Sequence, residues 1–126
     1  MEFLKLLFPA ALSCMLNAIA NVFWKFELNR NPLNGFDIPK LAQLFLSLNI
    51  ITGILCYIGS MILFFYLLSH FKLSVIIPIM ALTYIFNLLS AYLIFHEKLS
   101  IYSVLGTFVV ILGILIISRA PISAIR

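Results

Sequence analysis

Apolar residues gather along this chain into four long runs, and the polar residues set into those runs are spaced as on helices. The runs cover about residues 3–24, 50–68, 73–95 and 101–118. A helix rises about 1.5 Å per residue, so about 20 apolar residues match a hydrocarbon core about 30 Å thick. The third run carries no charge over residues 73–95. Within it Pro78 comes first, followed by Thr83, Tyr84, Asn87 and Ser90. Their i,i+3 and i,i+4 steps draw a polar seam down one side. The run stops at His96-Glu97-Lys98, and Ser100 stands where it can cap the next helix. This third span is expected to form the inner wall of a membrane bundle, with the other spans arranged around it.

In the first run Ser13, Asn17, Asn21 and Lys25 recur at i,i+4 and share one slowly drifting face. Amides are costly to expose to lipid, so the face should point into the bundle or a wet cavity. It could serve a substrate or ion, or simply bond to an amide on a neighbouring helix. Lys25 could equally snorkel to the interface beside Trp24. The hydrophilic stretch over residues 27–39 contains the turn signals Asn31-Pro32 and Asn34-Gly35. After Pro39, residues Leu41, Leu44, Phe45 and Leu48 fall at helical spacing among polar neighbours. They predict an amphipathic segment lying in the interface, or else a long first portion of the second span. In the second span Gly53, Cys56, Gly59 and Ser60 make a face of small residues suited to close helix packing. The turn Ser69-His70-Phe71-Lys72 follows, with His70 an interfacial side chain. On the fourth span Gly106 and Gly113 share a face with Val109 and Val110, which suits association between helices or subunits.

Composition narrows the class. The chain has 126 residues, 64% hydrophobic and 10% charged, against the roughly 25% charge of soluble domains. A water-soluble fold is excluded. The net charge of +4 does not point to nucleic acid, because the basic residues stand singly between apolar runs. In a membrane they set topology or meet headgroups. Cys14 and Cys56 both lie in spans and read as apolar thiols rather than a disulfide or metal pair. Lys5 followed by an apolar run to Cys14 loosely resembles a lipoprotein signal, but the run continues to Trp24, so it is read as a span.

The fold expected is therefore all-α and integral to the membrane: one domain over residues 1–126, with four transmembrane helices and an interfacial segment between the first and second. Both termini then share a side with Lys5, Lys72, Arg119 and Arg126. Arg30, Lys40 and Lys98 lie opposite, with Lys25 if it reaches the surface. This near tie gives a faint preference for cytoplasmic termini and permits an antiparallel pair. Four helices scarcely enclose a polar pathway alone, so a homodimer or a related partner subunit is expected.

The stretch IIPIMALTYIFNLLSAYLIFHEKLS, followed by a glycine-containing span, resembles the C-terminal half of the drug/metabolite transporter superfamily, the EamA-type repeat. NAIANVFWKF, the long loop and CYIGSMILFFYLLSHFKLS look most like its short four-helix members. Among these are the aminoarabinose-phosphoundecaprenol flippase subunits and the small-multidrug-resistance transporters. The likeness covers nearly the whole chain. It differs from the multidrug branch in two respects. The membrane glutamate of that branch corresponds to Asn17, which cannot titrate, and its third-helix tyrosine and tryptophan correspond to Ile77 and Met80. Both changes remove features that suit a cationic drug.

The flippase resemblance implies a carrier in the bacterial cytoplasmic membrane, moving a lipid-linked sugar without a covalent step, a catalytic residue, a metal or a cofactor. Asn17, Asn21, Tyr84 and Asn87 would suit sugar hydroxyls, and Lys25 a phosphate, while the polyprenyl chain stays in membrane lipid. Pro78 and Glu97 are the candidate gate or hairpin residues. Glu97 stands where the EamA third helix ends, and its alternative role is a hairpin cap paired with Lys98 or a loop lysine. The other functions considered are a small cationic-solute exporter and an accessory subunit of a membrane glycosyltransferase or transporter.

Overall fold

The computed structural model describes residues 2–119, so Arg126 and the headgroup role expected of it lie outside the described residues. Those residues form helices and no β-strand: α1 (Glu2–Arg30), α2 (Ile38–Phe45), α3 (Leu48–His70), α4 (Leu73–Met80), α5 (Leu82–Leu93) and α6 (Ile101–Ser118). Among the described residues four stretches are long and apolar enough to cross a bilayer: Phe3–Arg30, Leu48–His70, Leu73–Leu93 and Ile101–Ser118. The chain is an all-α integral membrane protein.

The helix of the first span runs past Trp24 to Arg30. It ends there because Asn31 precedes Pro32, whose ring disfavours helical backbone in the residue before it. The segment after Pro39 is a helix of its own, α2, rather than the start of the second span. The proline sits in its first turn, where the missing N–H costs nothing. Ser47 separates α2 from α3: its Oγ accepts from the Ile50 N–H at 3.4 Å and donates to the Leu44 carbonyl at 2.8 Å. No residue of α2 is buried, and Phe36, Ile38, Phe45, Leu46 and Leu48 around it are exposed, a surface suited to the bilayer interface.

The third span is broken at Ala81, three residues after Pro78, which sits inside α4. Two tighter bonds close the break, from Ala81 N–H to the Pro78 carbonyl at 3.1 Å and from Tyr84 N–H to the Ala81 carbonyl at 3.0 Å. Because the Tyr84 N–H is thus engaged, the Met80 carbonyl loses its usual partner. The buried Cys14 thiol of α1 donates to it instead, with Sγ at 3.6 Å.

The helix at the centre is α1, not the third span. It packs against α3, α4 and α5, whereas α6 packs mainly on the flank formed by α4 and α5. The cause lies in its small residues: Ala10, Ser13, Cys14, Ala18 and Ala20 are all buried and let neighbouring backbones come close. Ser13 bonds Ser60 of α3 twice, donating to its carbonyl at 3.0 Å and meeting its Oγ at 2.9 Å. About three turns further along α1, Trp24 lies on Gly53 and donates from Nε1 to the Ile50 carbonyl at 3.3 Å. At the opposite end Leu6 and Ala10 meet Leu67, Phe71, Val75, Ile76 and Ile79 in a dry cluster under the α3–α4 turn.

Candidate functional site

Asn17, Asn21 and Lys25 stand one above another on α1, a turn apart, and α5 brings Asn87 to the middle of the row. The Asn21 amide nitrogen donates to Asn17 Oδ1 and to Asn87 Oδ1, each at 3.2 Å. An amide that far into a span needs such partners, because lipid offers none. Between α1 and α5 lies an open cavity of about 280 Å³ lined by Asn21, Val22, Lys25, Asn87, Ser90 and Ala91, with Phe95 and Glu97 at its hairpin end. Ser90 can offer the cavity only an acceptor, since its hydroxyl already donates to the Phe86 carbonyl at 2.8 Å.

Lys25 closes the row with an ion pair, its Nζ lying 3.1 Å from Glu97 Oε1. The hairpin after α5 aims that carboxylate. His96 adopts the left-handed conformation at φ 52°, which non-glycine residues seldom take, and the Glu97 N–H reaches back to the Ala91 carbonyl at 3.0 Å. Beside the pair, Phe26 of α1 and Phe95 pack with ring centroids 5.0 Å apart, so the hairpin has an apolar as well as an ionic hold on α1. The partner of Glu97 is thus Lys25, not the neighbouring Lys98.

Asn17 faces a second cavity of about 390 Å³, walled by Tyr57, Met61, Phe64 and Phe65 of α3 and by Met80 at the helix break. The row therefore joins a mostly apolar recess near mid-span to a more polar one near the hairpin. Of the other candidates, Tyr84 is 45% exposed and lines neither cavity. Pro78 lies within α4 and lines neither cavity. Gly106 and Gly113 lie on α6, where a Cβ added at either would meet nothing within 4 Å.

One polar centre went unmarked in the sequence. Glu27, only 7% exposed, accepts from Asn31 and Asn49, each at 2.8 Å, and so ties the end of α1 to the start of α3. Its i,i+4 step to Asn31 was a local clue, but Asn49 is distant in sequence. Beside it a third cavity of about 360 Å³ is lined in part by Arg30, Asn34, Lys40 and Gln43. There Lys40 pairs with Asp37 at 3.5 Å.

In chemical terms the row is a ladder of neutral donors and acceptors ending in one ammonium group. It can hold hydroxyls and an anion, and no nucleophile–base pair stands within it. A model of the EamA-like transporter family matches residues 2–119. No curated protein and no solved structure matches the chain. That match takes in every helix described above, and with four membrane-length helices the chain is a multi-pass membrane protein that belongs to the EamA-like transporter family.

Proposed function

We propose that this chain is a subunit of a carrier in the bacterial cytoplasmic membrane that moves a polyprenyl-phosphate-linked sugar across the bilayer. The observation that carries the proposal is the hydrogen-bonded row Asn17–Asn21–Asn87, neutral throughout, leading to Lys25 beside a cavity between α1 and α5. Sugar hydroxyls both donate and accept, as amides do, and Lys25 offers three N–H donors to a phosphate. The polyprenyl chain remains in lipid against the apolar helix faces. No bond is made or broken in this reading; the sugar exchanges water for amide partners and then returns to water.

An exporter of cations would need an available carboxylate in the span. Asn17 cannot supply one, and the carboxylate nearest the row, Glu97, is engaged by Lys25. The carrier is proposed to act with a second copy or a related subunit, since α6 has no buried residue and offers a whole face to a neighbour. Flipping of a fluorescent polyprenyl-phosphate sugar, in liposomes holding the purified chain, tests the proposal. Wild type should move the lipid, and Asn21→Ala and Lys25→Ala should each slow it. If wild type is inactive alone and when reconstituted with a partner subunit, the carrier reading fails in favour of an accessory role. Proton-coupled uptake of a cationic solute would overturn it in favour of an exporter.

A further inference from the structure

The ion pair at the mouth of the α1–α5 cavity has no evident structural need. Lys25 and Glu97 keep 50% and 45% of their side-chain surface exposed, and exposed pairs of this kind add little stability. The hairpin is already held by Phe95 against Phe26. Nevertheless the chain adopts a left-handed backbone at His96 and brings the Glu97 N–H back to Ala91, which aims the carboxylate at the one cation lining that cavity. Left-handed backbone in a non-glycine residue recurs at functional sites.

Resting on the carrier reading above, we infer that Glu97 is an internal competitor: its carboxylate occupies, at Lys25, the anion position that the substrate's phosphate takes. Lys25 is then never left as a bare cation at the edge of the bilayer. A neutral sugar or glycolipid has nothing with which to displace the carboxylate. A phosphate brings a second anion to the same ammonium group, and the repulsion between the two drives Glu97 off Lys25. The weakness of a half-exposed pair is what makes this exchange reversible. Phe26 and Phe95 keep the hairpin seated while it occurs, so only the side chain needs to swing. Glu97 thus sets specificity by requiring an anionic headgroup, without itself touching the sugar.

The test is equilibrium binding of two probes to the detergent-solubilised full chain: dodecyl phosphate, which has a phosphate and a chain but no sugar, and a dodecyl glucoside, which has no charge. Glu97→Gln removes the competitor with little change of shape. It should tighten dodecyl phosphate binding by about two- to fivefold, the range an exposed ion pair is worth, and leave the glucoside unchanged. Glu97→Asp, which draws the carboxylate back by one methylene, should give a smaller gain. With Lys25→Ala also present, the gain from Glu97→Gln should vanish. If both Glu97 variants bind dodecyl phosphate no better than wild type, or if the gain survives without Lys25, the inference is overturned. A gain that depends on Lys25, in a chain that flips no lipid-linked sugar, would support the exchange while the sugar reading falls. Sugar flipping at equal rates in wild type and both Glu97 variants, with no gain in binding, would leave the carrier reading standing and remove this one.

Discussion

The first and last helices of this chain invert the rule learned from soluble proteins. α6 is apolar over nearly its whole length, yet none of its residues is buried, and Val109 and Ile116 are 68% and 72% exposed. α1 carries serine, asparagine, lysine and glutamate, yet it is the helix the others pack on, with Leu6, Ala10, Ser13, Cys14, Ala18, Ala20 and Glu27 all buried. In water, burying leucine is favourable because water is excluded. In a bilayer, lipid tails are as apolar as leucine, and no such gain distinguishes a helix neighbour from a lipid neighbour. What remains is close packing of small residues and hydrogen bonds that lipid cannot supply. α1 has both and α6 has neither, so polarity marks the inside here and apolarity the outside.

The largest break in that contrast should come from α3, where α1 comes closest. A Cβ at Gly53 would overlap the Trp24 indole and push its N–H away from the Ile50 carbonyl. Gly53→Ala is therefore expected to destabilise the protein by about 1–3 kcal/mol, the usual cost of overpacking, measured by unfolding in detergent. A neutral result would mean that α1 is not packed as tightly as its small residues imply. Next in size is Asn21→Leu, which removes the shared donor of the amide row and leaves the Asn17 and Asn87 oxygens without it. Interhelical hydrogen bonds in membranes average about 0.6 kcal/mol and reach about 1.7, so a loss in that range is expected by the same measurement. Asn21→Gln, which keeps an amide, should recover part of it. Equal losses for Leu and Gln would make packing rather than hydrogen bonding the cause. Smaller still is Lys25→Met, which keeps the apolar stem and removes only the ammonium group; its cost should stay below about 1 kcal/mol, as for exposed pairs.

Local periodicity explains what the sequence made legible. The four spans, the amphipathic α2 and the small face of α3 all follow from residues within a few turns of one another, and so does the alignment of Asn17, Asn21 and Lys25. The pairing of Lys25 with Glu97 does not, because it joins residues far apart in the chain and depends on how the hairpin turns at His96. The same limit put the third span at the centre. Its uncharged length and polar seam are local features, whereas the hub is decided by which helix lets the most neighbours approach. Tyr84, which lines neither cavity, shows the same limit more finely. An i,i+3 step leaves it about 60° around the helix from Asn87, and it follows directly on the Ala81 break, so a seam drawn as if the helix were continuous carried it too far inward. Glu27 was passed over as part of a solvated loop because the helix was expected to end before it.

The smallest expected effect on the folded protomer is also the most informative about α6. A Cβ at Gly106 or Gly113 would meet nothing within 4 Å, so Gly106→Leu and Gly113→Leu should each cost the protomer no more than about 0.5 kcal/mol of stability. If α6 serves as a contact between subunits, as proposed, the same changes should weaken association, because they hold two backbones apart where small residues had let them meet. Energy transfer between labelled chains in liposomes, diluted with lipid, reads that loss directly. Unchanged association would make the face a lipid-facing one and leave the partner to be sought on another helix. Loss of protomer stability comparable to that of Gly53→Ala would mean that α6 packs within the chain, and the contrast with α1 would fail. Only a loss of association with stability intact gives α6 the part that its exposed, apolar, glycine-bearing face suggests.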